Sequence, residues 1–267
     1  MLECLMAVSD QEALLALTYI GGPTILLELG GVRLLTDPTF DRAGTKYKRL
    51  EKLTGPAISA DKIGRIDAVL LTHDQHPDNL DSSGRMILGR AGQVLTTPAG
   101  AERLGGNATG LETWKSLDIG PPASRRIRVT ATPARHGPPG CESYMGEVTG
   151  FVLSWSEKPR SAVYISGDTV YYDEIPELTT RFSIGIAVLH LGDAHVAARG
   201  PHRLTMNAEE GVQAAMAIRP HTVVPVHYEG WGHFQEPAEH AKKVFIKSTL
   251  QSRVLWLEPG IRTVFRP

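Results

Sequence analysis

Apolar residues fall in short runs along this chain, and the runs change character part-way. Three β-prone runs come first: LALTYIG from Leu15, TILLELG from Thr24 and VRLLTDP from Val32. Glycine pairs, Gly21-Gly22 and Gly30-Gly31, punctuate them. Short runs broken by such turn signals predict a meander of hairpin-connected strands. A polar, basic segment follows, FDRAGTKYKRLEKLTGP. The next run, DAVLLT (Asp67 to Thr72), is continuous in apolar residues and reads as a strand buried on both faces.

Beyond it, strand and helix patterns alternate. SSGRMILGR reads as a helix, QVLTT as a strand, PAGAERL as a helix and RIRVTATPARH as a strand ending at His136. GFVLSWS and AVYISGDT read as paired strands, the second ending near Asp168. IPELTTRF is a helix with proline near its start, where a missing amide donor does no harm. IGIAVLHLGDA is a buried strand. NAEEGVQAAMAIRP is the clearest helix, because Asn207 can cap it with Glu210 three residues on. HTVVPVHYE, PAEHAKKVFIKST and RVLWLEPG complete the pattern as strand, helix and last strand. Strands first and alternation afterwards predict an α/β (α+β) fold of two packed sheets with helices outside. No linker or repeat divides it, so the chain reads as one domain over 1–267, with 1–17 as an extension into the first strand.

Composition narrows the function. The chain has 267 residues, 42% of them hydrophobic, enough for a large core. A net charge of −1 argues against nucleic acid as partner. Two cysteines, Cys4 and Cys141, supply neither a disulfide framework nor a cysteine zinc module. MLECLMAVSD has no basic leader and carries Glu3, so it does not read as a signal peptide. No run suits a bilayer span, so no membrane partner is expected and a cytoplasmic location is.

The candidate chemistry lies in histidines and aspartates. Of ten histidines, His73, His136 and His227 each end a predicted strand, as does Asp168. Ligand sites in open α/β sheets gather at the carboxyl ends of strands. Four such residues, with His76 and Asp78 beside the first, can converge on one point. Imidazole and carboxylate are the usual donors to zinc and its neighbours.

In order and context these stretches resemble the metallo-β-lactamase superfamily, nearest the branch of L-ascorbate-6-phosphate lactonase and N-acylphosphatidylethanolamine phospholipase D. YIGGPTILLELGGVRLLTDPTF resembles that branch's opening strands, and DAVLLTHDQHPDNLD its strand leading into an H-x-H-x-D-H loop. TPARH, YISGDT and VVPVHYEGW resemble its later ligand segments. The resemblance implies a four-layer αββα sandwich with one or two divalent ions at one edge, zinc first, with manganese or iron as alternatives. It implies that His73, His76 and His136 hold the first ion. Asp78 and His227 would serve the second, with Asp168 between the two. Asp37, in LTDPTF, would support the ligands from behind. Asp78 and His227 would be the catalytic residues, and a metal-activated hydroxide the nucleophile.

The loop departs from the family pattern. One inserted residue reconciles THDQHPDN with it, leaving Asn79 where the last histidine belongs. An amide oxygen is a weaker donor than imidazole. The expectation is a tight first site and a weaker second one, with Asn79 marginal.

Substrate clues are thinner. Lys46, Lys48, Arg49 and Lys52 sit in the basic segment, and His195, His202 and Arg203 follow a strand end. Tyr228, Trp231 and His233 follow the last ligand strand. His195, His202, Arg203, Tyr228, Trp231 and His233 are the candidates for substrate contact; His190 reads as core. The leading function is a metal-dependent hydrolase of a small, anionic ester, lactone or phosphodiester, lactonase-like in action. The alternative is a metal-binding or ligand-sensing relative that lost turnover when the loop changed. Homo-oligomer formation is left open.

Overall fold

The structure is a computed structural model, and it describes residues 15–120, 126–155 and 162–265. Most of the 1–17 extension and Cys4 lie outside the described residues. The strands are β1 (Leu15–Gly21), β2 (Thr24–Leu29), β3 (Val32–Thr36), β4 (Ala68–Leu70), β5 (Gln93–Thr96), β6 (Ala108–Gly110), β7 (Ser116–Ile119), β8 (Ile127–Thr132), β9 (Gly150–Ser154), β10 (Ala162–Ile165), β11 (Ile184–His190), β12 (Thr222–Val226) and β13 (Arg262–Phe265). The helices are α1 (Ser82–Leu88), α2 (Pro98–Leu104), α3 (Glu142–Met145), α4 (Leu178–Arg181), α5 (Ala208–Ile218) and α6 (Ala238–Lys247).

Two mixed sheets form. One runs β13-β1-β2-β3-β4-β5-β6 and the other β12-β11-β10-β9-β8-β7. In the first, β1 to β3 pair antiparallel, while β3, β4, β5 and β6 run parallel. In the second, β10, β11 and β12 run parallel.

Strand periodicity decides the layers. In β4, Ala68 and Leu70 join the core between the sheets, while Val69 joins the layer under α1 with Ile87 and Leu88. In β10, Val163 and Ile165 face the central core, and Tyr164 faces the layer of α5 and α6. Period-two alternation thus yields three apolar seams and four layers, αββα, as expected. The Asn207 side chain accepts from the Glu210 amide and starts α5 as predicted.

Some elements differ from expectation. The strand expected over RVLWLEPG does not form. A single bridge, Val223 to Val254, is its only pairing among the described residues, and Arg262–Phe265 pairs with β1 instead. β6 and β7 are strands that the apolar pattern does not announce. β8 stops at Thr132, so His136 lies on a loop beyond the strand end. No helix among the described residues is long and apolar enough to cross a membrane.

Candidate metal centre

The carboxyl ends of β4, β10 and β12, with the loop after β8, bring the chemistry together. His73, His76 and His136 each offer a nitrogen to one group, and Asp78, Asp168 and His227 each offer an atom to a second; the donor atoms of each group lie within 4.8 Å of one another.

In the first group, His76 Nδ1 lies 2.8 Å from His73 Nε2 and 3.2 Å from His136 Nε2. Two nitrogens bound tetrahedrally to one zinc would stand about 3.3 Å apart. The outward nitrogens are anchored from behind. His136 Nδ1 donates to the Leu204 carbonyl at 2.7 Å. His73 Nδ1 meets Thr72 Oγ1 at 3.1 Å, and that hydroxyl donates to Asp37 at 3.0 Å. Such partners fix the tautomer and aim of a ligating imidazole. Burial, reinforced by His76, holds the His73 pKa well below the usual imidazole value, so its ring is neutral and able to donate a lone pair.

The inserted residue is absorbed by a pinned bulge. Asp74 turns away from the centre and takes a bidentate contact from Arg103, Nε to Oδ2 at 3.0 Å. Its carbonyl accepts from Arg85 at 2.6 Å. Gln75 is exposed at the rim of the cleft and lies close over Gly146, where any Cβ would collide with its amide. His73 and His76 are thereby turned back toward each other. Removing the guanidinium with Arg103→Ala should loosen the bulge. Zinc affinity at the first group should fall roughly tenfold, read by competition against a chromophoric chelator; an unchanged affinity would show that the bulge holds without Arg103.

Asp168 lies between the groups. Its Oδ2 is 3.7 Å from His136 Nε2 and its Oδ1 3.6 Å from His227 Nδ1. Burial alone would raise its pKa, but His227, His136, His73 and His190 outweigh that and hold it at about 2. Both of its oxygens are buried without a hydrogen-bond partner among the described residues, as is His227 Nε2. A protein rarely buries a carboxylate unpaired, so these donors fit a cation. His227 has φ 57, a left-handed turn at the end of β12 that swings its ring into the centre. Its amide donates to the Gly22 carbonyl at 2.8 Å. His190 is buried beneath, its Nε2 3.4 Å from Asp37 Oδ2.

Residues 32–228 match the β-lactamase superfamily domain. The chain belongs to the metallo-β-lactamase superfamily. It is 26% identical over 250 residues to a UPF0173 metal-dependent hydrolase of Thermofilum pendens, covering 91% of this chain and 96% of that one. Its fold is shared with an isothiocyanate hydrolase from Delia radicum gut bacteria, with TM-score 0.80, 20% identity and coverage of 94% of this chain and 100% of that one. It is also shared with CmlA, a diiron β-hydroxylase from Streptomyces venezuelae, with TM-score 0.69, 15% identity and coverage of 96% and 54%.

In this superfamily member the centre opens into a cleft of about 330 Å³. His76, Asp78, His136 and His233 present chemistry to it. Leu50, Met145, Val196 and Leu204 supply apolar wall, and Lys48 and Arg49 supply charge. The residues considered for substrate contact fall in different places. Lys52, in the basic segment, is buried and paired with Asp81 at 2.8 Å. Tyr228 stacks on Tyr19 and packs against Trp256, which makes it core. Trp231 is buried against Lys52 behind the cleft. Arg203 is held by Asp193 and Glu210. His195 leans on Asp193, and neither it nor the exposed His202 lines the cleft. Cys141 is buried beside Tyr144 and packs with Met145 and Leu204 behind the wall. Of the six expected contacts, only His233 reaches the cleft. Asn79 is fully buried, and neither end of its amide has a partner among the described residues.

Proposed function

We propose that this protein is a metal-dependent hydrolase acting on a small ester, lactone or phosphodiester. The observation that supports it most is the pair of donor groups joined at Asp168 beside a cleft. His73, His76 and His136 would hold one divalent ion, zinc by preference. Asp78 and His227 would hold a second, with Asp168 serving both. The donor set of imidazoles and carboxylates suits zinc, and manganese or iron are the alternatives. Such an ion, when bound, lowers the pKa of water from ~15.7 to about 7 and polarises the attacked group.

The chain's own residues do the rest. Asp78 borders the cleft and stays anionic, since burial opposes this but His233 and His227 hold its pKa well below the ordinary carboxylate value. Asp78 would take the proton of the attacking water and return it to the leaving oxygen. Lys48 and Arg49 can attract a carboxylate or phosphate, while the apolar wall accommodates the rest of a small substrate. The sensor alternative rests on the altered loop with Asn79 in the last histidine's place; that His73 and His76 still stand 2.8 Å apart at their nearest nitrogens supports a working first group.

Purified protein should hydrolyse bis(p-nitrophenyl) phosphate or a simple γ-lactone. Chelator dialysis should abolish this, and zinc should restore it. A protein that binds zinc yet turns over neither class of compound would fit the sensor instead.

A further inference from the structure

We infer that His233 is a ligand of the second ion and takes the place that Asn79 leaves empty. This rests on the two-metal reading above. It reassigns a residue that the sequence places among the substrate contacts.

Asn79 is a poor candidate by chemistry. It occupies the loop position where the superfamily pattern has a histidine, but an amide oxygen is a weak neutral donor.

His233 arrives from the other side of the centre, six residues beyond His227 on the loop after β12. Its Nε2 is 3.0 Å from Asp78 Oδ2, and the same oxygen is 3.4 Å from His227 Nε2. Two imidazole nitrogens from one loop thus flank one carboxylate oxygen of the second group. Asp78 is the only hydrogen-bonding partner of the His233 ring among the described residues, because Nδ1 is buried without one. No other group in the described protein therefore competes for it.

The ring is also held in place. Phe234 packs against both imidazoles, with centroids 4.5 Å from His227 and 4.6 Å from His233. The His233 carbonyl accepts from the His195 amide and the Gln235 side chain, each at 3.1 Å. A ligand must be pre-aimed to bind well, and this backbone is fixed at the residue itself. With His233 included, the second ion has two imidazoles and Asp78, with Asp168 shared. The weak second site expected from Asn79 is then no longer expected.

The test is a zinc titration of chelator-stripped protein, with zinc alone as ligand and a chromophoric competitor as readout. Wild type should take two equivalents. His233→Ala should keep the first unchanged and weaken the second at least tenfold, and His233→Gln should do the same. Asn79→Ala should leave both as in wild type. The double variant Asn79→His, His233→Ala should recover the second. Circular dichroism confirms that each variant is folded. If His233→Ala and His233→Gln both bind two equivalents as tightly as wild type, the assignment is wrong and the ring serves substrate. If wild type takes fewer than two equivalents, the two-metal reading falls and the assignment falls with it.

Discussion

Asp168→Ala is expected to lower the hydrolytic rate by roughly a thousandfold, about 4 kcal/mol of barrier, while the chain stays folded. Asp168 is within reach of both donor groups, 3.7 Å from His136 and 3.6 Å from His227. Its loss takes the shared anion from both ions at once. Stability should also fall in the metal-free protein. The imidazole neighbours outweigh the burial cost of the carboxylate and hold its pKa below the usual value, a contribution present at neutral pH and lost as the pH falls through that lowered pKa. Alanine removes that contribution and leaves a small cavity. Asp168→Asn separates charge from size, and should lose metal and rate as the alanine variant does. Metal content and initial rate, measured on the same samples, check this. A variant that keeps two equivalents and wild-type turnover would remove Asp168 from the site.

Asp37→Ala should be the most damaging change behind the centre, costing about 3–5 kcal/mol of stability. Asp37 is fully buried with φ 28, and its Oδ1 accepts the Thr72 amide at 2.7 Å. Both carboxylate oxygens take the Thr72 hydroxyl at 3.0 Å. His190 is 3.4 Å away. Alanine would leave the amide, the hydroxyl and the imidazole buried with no partner at Asp37, and such groups incur their full desolvation cost. The hydroxyl also orients His73, so zinc affinity at the first group should drop roughly ten- to a hundredfold. Burial raises the Asp37 pKa above the usual carboxylate value, so the folded protein gains stability from this group as the pH falls through that raised pKa, and the loss on substitution should be larger in acid. Urea midpoints at two pH values measure both effects. A stability change under about 1 kcal/mol would contradict the role assigned to Asp37.

The sequence foretold those elements whose pattern repeats. β1 to β3 are short apolar runs set between glycine turns, and α5 carries its own cap at Asn207. β6, β7 and β13 escaped because they are three or four residues long and partly exposed. Too few positions repeat there for a period to emerge. The last apolar run, Leu255 and Trp256 among it, packs as irregular chain against the cores. Burial drives that packing as well as a strand would.

The centre was legible because its donors sit where strands end, and a strand end is visible as a lost apolar run. His136 was the partial exception: it lies four residues past β8, and Pro133 lies between. What sequence spacing could not convey was direction. Trp231 and Tyr228 look like pocket walls but turn into the core, while His233, between them and α6, turns into the centre. Arg203 and Lys52 look free but are paired with Asp193 and Asp81. No local pattern encodes partners that come from distant elements.

The most direct test of the account is anomalous diffraction at the zinc edge from crystals grown with zinc. Two peaks are expected at the base of the cleft. One should contact His73, His76 and His136. The other should contact Asp78, His227 and His233, with Asp168 between the two. A single peak, or none touching these residues, would contradict it.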